Sequence, residues 1–410
     1  MKFAFVFYYK KTNRYSYNAI IAALETSFIE NYDLFIPSSE KELIKLLNDI
    51  NKVYSKIILT ISFFTTQVWE INKLLKKIKT LKIDNLILLA GGPHSTGEPE
   101  KTLKLGFDYV LTGEGEITFP ETIKKILNDE NLPKIIYGKR VKNLDDFNPF
   151  PIKKIKKFGP IEITRGCPFF CNFCQTSRIF GGKPRHRSID KICKIVEYMK
   201  IQNRVDIRFI MPDAFSYGSK NGKEINLNSI ENLLKEIRKI LNNNGRIFLG
   251  SFPSEVRPEH VIEDTVLLVK KYCNNDNLVI GGQSGSEKIL KICNRRHTVK
   301  DIYNAVKICT KFNLTPNIDF IFGLPGEDEK DIKDTIKVMK DIIKMGARIH
   351  AHTFMPLPQT PFKDSPPGKI SKLILKEFKY SIPKGIIFGN YVQQEILAQK
   401  IYEYLKFDRL

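Results

Sequence analysis

The chain has 410 residues, 42% of them hydrophobic, enough for two or three domains with cores of their own. No apolar run approaches the roughly 20 residues of a membrane span. The opening MKFAFVFYYKK has the length of a strand and no small-residue cleavage site, so no signal peptide is expected and the expected location is the cytoplasm.

The net charge of +21 comes from lysines spread along the whole chain, as in ENLLKEIRKILNNN (231–244). That is a pattern of solvated helix faces, and by itself it identifies no nucleic-acid, lipid or acidic partner. Over the first 140 residues, strands alternate with amphipathic helices. KFAFVFYY (2–9), YDLFIPS (32–38), KIILTISFF (56–64), NLILLAGG (85–92) and DYVLTGEGE (108–116) read as strands. NAIIAALETSFIEN (18–31), KELIKLLNDI (41–50) and QVWEINKLLKKIKTL (67–81) carry the 3.6-residue spacing of helices with one buried face. Such alternation makes an α/β fold with a parallel sheet covered on both sides. Ligands then bind beyond the carboxyl ends of the strands. Ser62, then Gly91, Gly92 and His94 in GGPHSTGEPE, then Gly113, Glu114 and Gly115 in TGEGE lie at those ends. Glycines there let the backbone approach a large ligand; ordinary tight turns are the other reading. Neither stretch continues into the Gly-Lys-Ser/Thr of a phosphate-binding loop.

Residues 141–158, with VKNLDDFNPFPIKK and its prolines, read as a linker. From 159 to 365 the alternation resumes, with strands expected at 160–166, 205–213, 246–252, 277–285, 315–326 and 347–356 and helices such as 188–200 and 230–243 between them. Six such units suggest a partial barrel whose function lies at the strand ends. The tail, 366–410, reads as a short helical cap.

Seven cysteines are present, none in the first 166 residues. Cys193, Cys273, Cys293 and Cys309 stand apart in apolar or helical contexts and read as small core residues. Cys167, Cys171 and Cys174 fall in one loop after the first strand of the second half. Thiolates at that spacing reach three corners of a [4Fe–4S] cluster. Structural zinc wants four protein ligands, and the nearest histidine, His186, lies twelve residues beyond Cys174. Three ligands leave one iron open to an external ligand.

CPFFCNFC (167–174) resembles the C-x3-C-x2-C motif of the radical S-adenosylmethionine (SAM) superfamily. KPRHRSIDKI (183–192), IGGQSGSEKILKICNRRHT (280–298), DFIFGLPGE (319–327) and HTFMPLPQTPF (352–362) resemble segments of its cobalamin-associated branch. The resemblance implies a [4Fe–4S] cluster and SAM in a TIM-like (β/α)6 radical SAM barrel. Phe173 would contact the adenine, and Asp213, Ser251, Arg257 and Gln283 would hold the methionine and ribose. Gln283 stands where the branch often has glutamate. The first half is similar to the branch's Rossmann-like cobalamin-binding domain, although Ser62 is followed by Phe-Phe and no Asp-x-His-x-x-Gly is present. Cobalamin would therefore bind without the usual lower histidine; for His94, the one histidine of this domain, a turn or edge contact is expected ahead of cobalt ligation.

With these cofactors the resemblance implies C-methylation of an unactivated carbon by a 5′-deoxyadenosyl radical and methylcobalamin. An electron donor such as a ferredoxin or flavodoxin would be a partner. The size and architecture resemble enzymes that methylate residues of methyl-coenzyme M reductase, glutamine included. Cyclisation or rearrangement of a small molecule uses the same cofactors and stays open. A methylthiotransferase would need a second cysteine triplet in the first half, which has no cysteine. An iron–sulfur sensor or nucleic-acid binder would have no use for the open iron.

Overall fold

The computed structural model describes residues 2–27, 29–242 and 244–410. Met1, Phe28 in the helix expected over 18–31, and Asn243 at the end of that expected over 230–243 lie outside the described residues. The chain divides into two compact units, one ending at Gly159 and the other spanning Pro160–Arg409.

In the first unit, β1 (Phe3–Phe7), β2 (Tyr32–Phe35), β3 (Lys56–Ser62), β4 (Leu86–Gly91), β5 (Tyr109–Leu111) and β6 (Ile135–Ile136) form one parallel sheet, ordered β2-β1-β3-β4-β5-β6. Ala4, Phe5, Val6 and Phe7 are all buried in succession, as are Ile57 to Ile61. Both faces of these strands are therefore covered, which is what parallel pairing demands. The covering helices follow the apolar spacing. Leu43, Leu47 and Ile50 are the buried positions of Glu40–Ile50, which starts where Ser39 Oγ accepts the Glu42 amide at 3.2 Å. The strand expected over 108–116 stops at Leu111, because Gly115–Leu127 is a helix instead. The short β6 carried too little pattern to be anticipated.

The connecting stretch 141–158 is held to this unit rather than free. Val141, Leu144 and Phe150 are buried. The Glu25 carboxylate accepts the backbone amides of Ile152 (2.8 Å), Lys153 (3.0 Å), Lys154 (2.8 Å) and Ile155 (3.3 Å).

In the second unit, β7 (Ile161–Glu162) pairs with β10 (Asp206–Ile210), which pairs with β11 (Arg246–Phe248). The run β12 (Asn277–Gln283), β13 (Thr315–Phe322), β14 (Arg348–Thr353) and β15 (Ile387–Phe388) forms a second parallel set. A bridge between Val256 and Ile280, and the Val279 amide bound to Gly250 O at 2.8 Å, join the two sets into a partial barrel. The strand expected over 160–166 is broken: β8 (Thr164–Arg165) turns aside to pair antiparallel with β9 (Arg185–His186). The tail is helical at Lys372–Glu377 and Tyr391–Phe407, but between them it adds the edge strand β15. Along β14, Ile349, Ala351 and Thr353 are buried, whereas Arg348, His350 and His352 alternate with them on the opposite face. No helix among the described residues is long and apolar enough to cross a membrane.

Replacing Glu25 by Ala removes the acceptor for four backbone amides. An unmet buried donor costs about 1–3 kcal/mol. These amides are only part-buried and water can partly replace the carboxylate, so the Glu25→Ala protein is expected to lose at most about that amount in urea unfolding, and trypsin is expected to cut at the lysines of 153–157 sooner than in the wild type. Unchanged unfolding and digestion would show that the carboxylate does not hold this stretch.

Candidate functional site

In the first unit the strand order reverses between β1 and β3, and a ligand of such a sheet lies outside the carboxyl ends there. Ser62 and Gly91 are register partners at those ends. Gly92 has φ +92°, and a Cβ on it would lie 2.6 Å from Ser62 Oγ and 2.9 Å from the Phe63 nitrogen, so only glycine fits. A Cβ on Gly91 would meet nothing within 4 Å, which leaves room beside the turn. Gly113 (φ +69°) donates its amide to Thr96 Oγ1 at 2.9 Å. Gly115 lies against Ile20, whose Cδ1 would be 2.3 Å from a Cβ.

Two of the expected residues are committed elsewhere. Glu114 is buried and accepts the Val141 amide at 3.1 Å. His94 has no exposed surface; its Nδ1 is 3.1 Å from Thr65 Oγ1, and burial holds its pKa down at about 3. In this conformation it offers a ligand no contact. The room at Gly91 and the close approach at Gly92 suit a large ligand such as cobalamin.

In the second unit the cysteine loop leaves β8 through Gly166, whose φ of +95° and 2.5 Å clearance from Lys183 O admit no side chain. The loop itself has almost no regular structure and is pinned from residues 292–294. Asn172 bonds Cys293 O (3.0 Å) through its amide and Ile292 O (2.7 Å) through its side chain. Asn294 Nδ2 reaches Phe169 O at 2.9 Å and Phe170 O at 3.1 Å. Phe173 packs on the apolar cluster of Ile289, Cys293, Leu324, Phe354 and Phe362.

All three loop thiols are free of disulfides. Burial pushes the Cys167 thiol up to about 11 and raises that of Cys174, so bare thiolates are disfavoured there and a positive metal centre would relieve them. A structural zinc would want a fourth protein ligand beside the three thiols. His186 supplies no fourth ligand, since Nδ1 faces Thr164 Oγ1 and Nε2 faces Ser219 O, each at 2.9 Å. The donor set fits a three-thiolate cluster.

The expected SAM residues divide differently from the sequence reading. Asp213 is buried in a pair with His260 (Oδ2 to Nδ1, 2.5 Å) and accepts the Arg257 amide at 3.3 Å. Burial opposes a charged His260, but the hydrogen bond and charge of Asp213 outweigh it and raise the imidazole pKa. Asp213 thus orients neighbours rather than facing a ligand. Gln283 ends β12 at a register shift with φ +71°, and its side chain folds back over Gly281. Ser251 Oγ and Arg257 Nη2 are buried with no hydrogen-bond partner among the described residues. The same holds for three atoms that sequence reasoning missed: Glu259 Oε2, Arg295 Nε and His297 Nδ1.

His297 presents Nε2 to Gly282 O (3.0 Å), and burial keeps it neutral, so Nδ1 is an acceptor. That acceptor faces Glu259 Oε2 across 3.9 Å. Two arginine donors lacking an acceptor beside two acceptors lacking a donor suit a zwitterionic ligand. The spacing R-x-H after the cysteine at 293 was the available signal for two of these residues.

On the face of β14 away from its buried residues, Asp319 Oδ1 accepts from His350 Nδ1 at 2.9 Å and lies 4.0 Å from His352 Nε2. These three could converge on a metal. However, Gln394 Oε1 accepts the Thr353 amide (2.9 Å), which turns its Nε2 toward His352 Nδ1 (3.3 Å). His352 then carries its proton on Nε2, so the group serves as hydrogen-bonding surface rather than as a ligand set. Glu255 joins it. Its side chain is open to solvent-sized space, yet protein surrounds it closely, and poor hydration followed by the charge of Asp319 raises its pKa to about 7. A carboxyl with a raised native pKa binds its proton more tightly folded than unfolded. Its contribution therefore falls as pH rises from about 4.5 to about 7. Glu255→Gln should raise the thermal midpoint at pH 8 and have little effect near pH 4.5; a difference independent of pH would contradict this assignment.

The family model of the radical SAM superfamily matches residues 161–339, and that of the B12 binding domain matches 11–123. An uncharacterized methyltransferase of Pyrococcus horikoshii is 25% identical over 323 residues, covering 72% of this chain and 67% of the relative. A tRNA-2-methylthio-N(6)-dimethylallyladenosine synthase of Clostridium novyi is 30% identical over 275 residues, 65% and 58% of the two chains. The solved structure of TsrM from Kitasatospora setae, a radical S-adenosylmethionine methyltransferase with cobalamin and [4Fe-4S] cluster bound, has a TM-score of 0.68 at 14% identity, covering 89% of this chain and 78% of that one. At that identity the likeness is one of fold. With the open three-thiol loop inside one matched region and the glycine-lined strand ends inside the other, the chain belongs to the radical SAM superfamily, as a member with a B12-binding domain ahead of its radical SAM domain.

Proposed function

We propose that the protein is a cobalamin-dependent radical SAM methyltransferase that methylates an unactivated carbon. The observation that carries this is the loop of three unbridged thiols, Cys171 buried and Cys167 and Cys174 half-buried, in one chain with a B12-binding domain. When bound, the cofactors supply reductive cleavage of the SAM sulfonium and a cobalt methyl carrier.

The protein's own part is to hold and shield them. Cys167, Cys171 and Cys174 would ligate three irons. Arg257 Nη2 and Arg295 Nε would receive the SAM carboxylate, and Glu259 Oε2 with His297 Nδ1 the ammonium, since each of these atoms is buried and unmatched. Phe173 would keep its backbone for the adenine while its ring seals the apolar side. Ser62, Gly91 and Gly92 would border the cobalamin, with Gly113 and Gly115 shaping the neighbouring turn.

The acceptor we favour is a protein side chain, such as a glutamine of methyl-coenzyme M reductase. The family resemblance supports that choice. The matched methylthio synthase suggests a different transfer, but the first unit lacks the cysteines that a second cluster would need.

Anaerobically reconstituted protein, reduced in the presence of SAM, should release 5′-deoxyadenosine. Cys171→Ala should lower that release to background, and retained cleavage would refute the cluster assignment. With SAM labelled in its methyl group and methyl-coenzyme M reductase added, the label should appear in the reductase as one methyl per site. Label in a small molecule would move the acceptor to that class, and sulfur incorporation would favour methylthio transfer.

A further inference from the structure

One of the three cluster thiols differs from the others in what faces it. Cys167 is approached by the Phe169 amide and the Ser177 hydroxyl, and Cys174 by the Thr176 amide and hydroxyl, all neutral groups. Cys171 is met by a cation: Arg295 Nη1 lies 3.5 Å from its Sγ, within range of an N–H···S bond. The guanidinium does not swing freely. Its Nη2 donates to Gly281 O at 2.7 Å. A Cβ on Gly281 would lie 3.2 Å from Nη2, so the fork seats closely against the backbone near the end of β12. The Arg295 amide is bound to Leu290 O at 2.8 Å, and the neighbouring Asn294 holds the cysteine loop itself. The next residue, Arg296, is exposed and makes none of these contacts.

We infer that Arg295 is a positioning residue that sets the reduction potential of the iron–sulfur cluster through Cys171. The inference rests on the radical SAM reading. A guanidinium keeps its charge at all relevant pH values. Reduction adds one electron to the cluster and its thiolates, supplied by an external one-electron donor, with no bond made or broken at Arg295. A fixed cation hydrogen-bonded to one thiolate favours the more negative, reduced state, and hydrogen bonds to cluster sulfurs are among the determinants of such potentials. Glu255 and Glu259 lie close enough to Arg295 to offset part of its charge. The directional N–H···S contact is what they do not cancel. Arg295 thereby makes the first electron easier to accept, in the cluster whose reduced form must cleave SAM.

The test is a redox titration of the anaerobically reconstituted full chain, followed by the EPR signal of the reduced cluster, without SAM. Arg295→Gln should shift the midpoint to a more negative potential than wild type. Arg295→Lys, which keeps charge but not the fork, should fall between them, and Arg296→Gln should match wild type. A wild-type midpoint in Arg295→Gln with full iron content would overturn the inference and leave the family reading intact. Failure of the wild type to form any reducible cluster would overturn both. Should Arg295→Gln not hold its cluster, pulsed EPR of wild-type protein carrying [15N]arginine decides. A 15N coupling to the reduced cluster that persists in Arg296→Gln is expected, and its absence would overturn the inference.

Discussion

The thiols of Cys167, Cys171 and Cys174 stand on a stretch with almost no regular structure, and their positions depend on bonds to a second stretch more than a hundred residues away. Asn172 and Asn294 exchange side-chain and backbone hydrogen bonds in both directions between the loop and residues 292–294. Arg295 then reaches from that same turn to Cys171. A three-cysteine loop without such anchoring would change its sulfur spacing as it moved, and a cluster with one open iron needs the other three held. The apolar seating of Phe173 on Leu324, Phe354 and Phe362 ties the anchor to the later part of the barrel. The end of β12, the turn after it and the cysteine loop therefore act as one body.

Parallel pairing sets the rest. Because β1, β3 and β4 are covered on both faces, their interiors are apolar apart from Thr60, and the first unit keeps small residues at its switch point. The second unit is different, because its strands close only part of a barrel. The face of β14 away from its buried residues carries His350 and His352, with Asp319 beside them on β13 and Glu255 near. Asp319 is buried there, while His350 and His352 are half-buried beside it. Mutual hydrogen bonds link His350 to Asp319 and Gln394 to His352.

What could be read from the sequence was what is local or periodic. The cysteine spacing is local, and so is the run of apolar residues in β1 or β3. Helix registers such as Leu43, Leu47 and Ile50 follow from period alone. What the sequence could not show was the pairing of residues with partners far along the chain. Asp213 stands at a strand end, as a ligand-facing residue should, but its carboxylate belongs to His260, 47 residues later. Glu114 sits in a glycine-rich turn that looks open, yet Val141 closes it. His94, for which a turn or edge contact is expected ahead of cobalt ligation, is turned inward against Thr65. The unmatched atoms of Arg295 and His297 share one turn, but Glu259 comes from another, and only the fold brings it to them. The two-residue strands β6 and β15 carry too few positions for a period to register.

The central claim is that one chain holds both a three-thiolate iron–sulfur cluster and cobalamin. The direct measurement is iron and cobalt content per chain after anaerobic reconstitution with iron, sulfide and hydroxocobalamin. The account predicts about four irons for a single [4Fe–4S] cluster together with one cobalt, and loss of the iron alone in Cys171→Ala. Full iron with no bound cobalt would contradict it, because the first unit would then hold something other than cobalamin and methyl transfer would have no carrier.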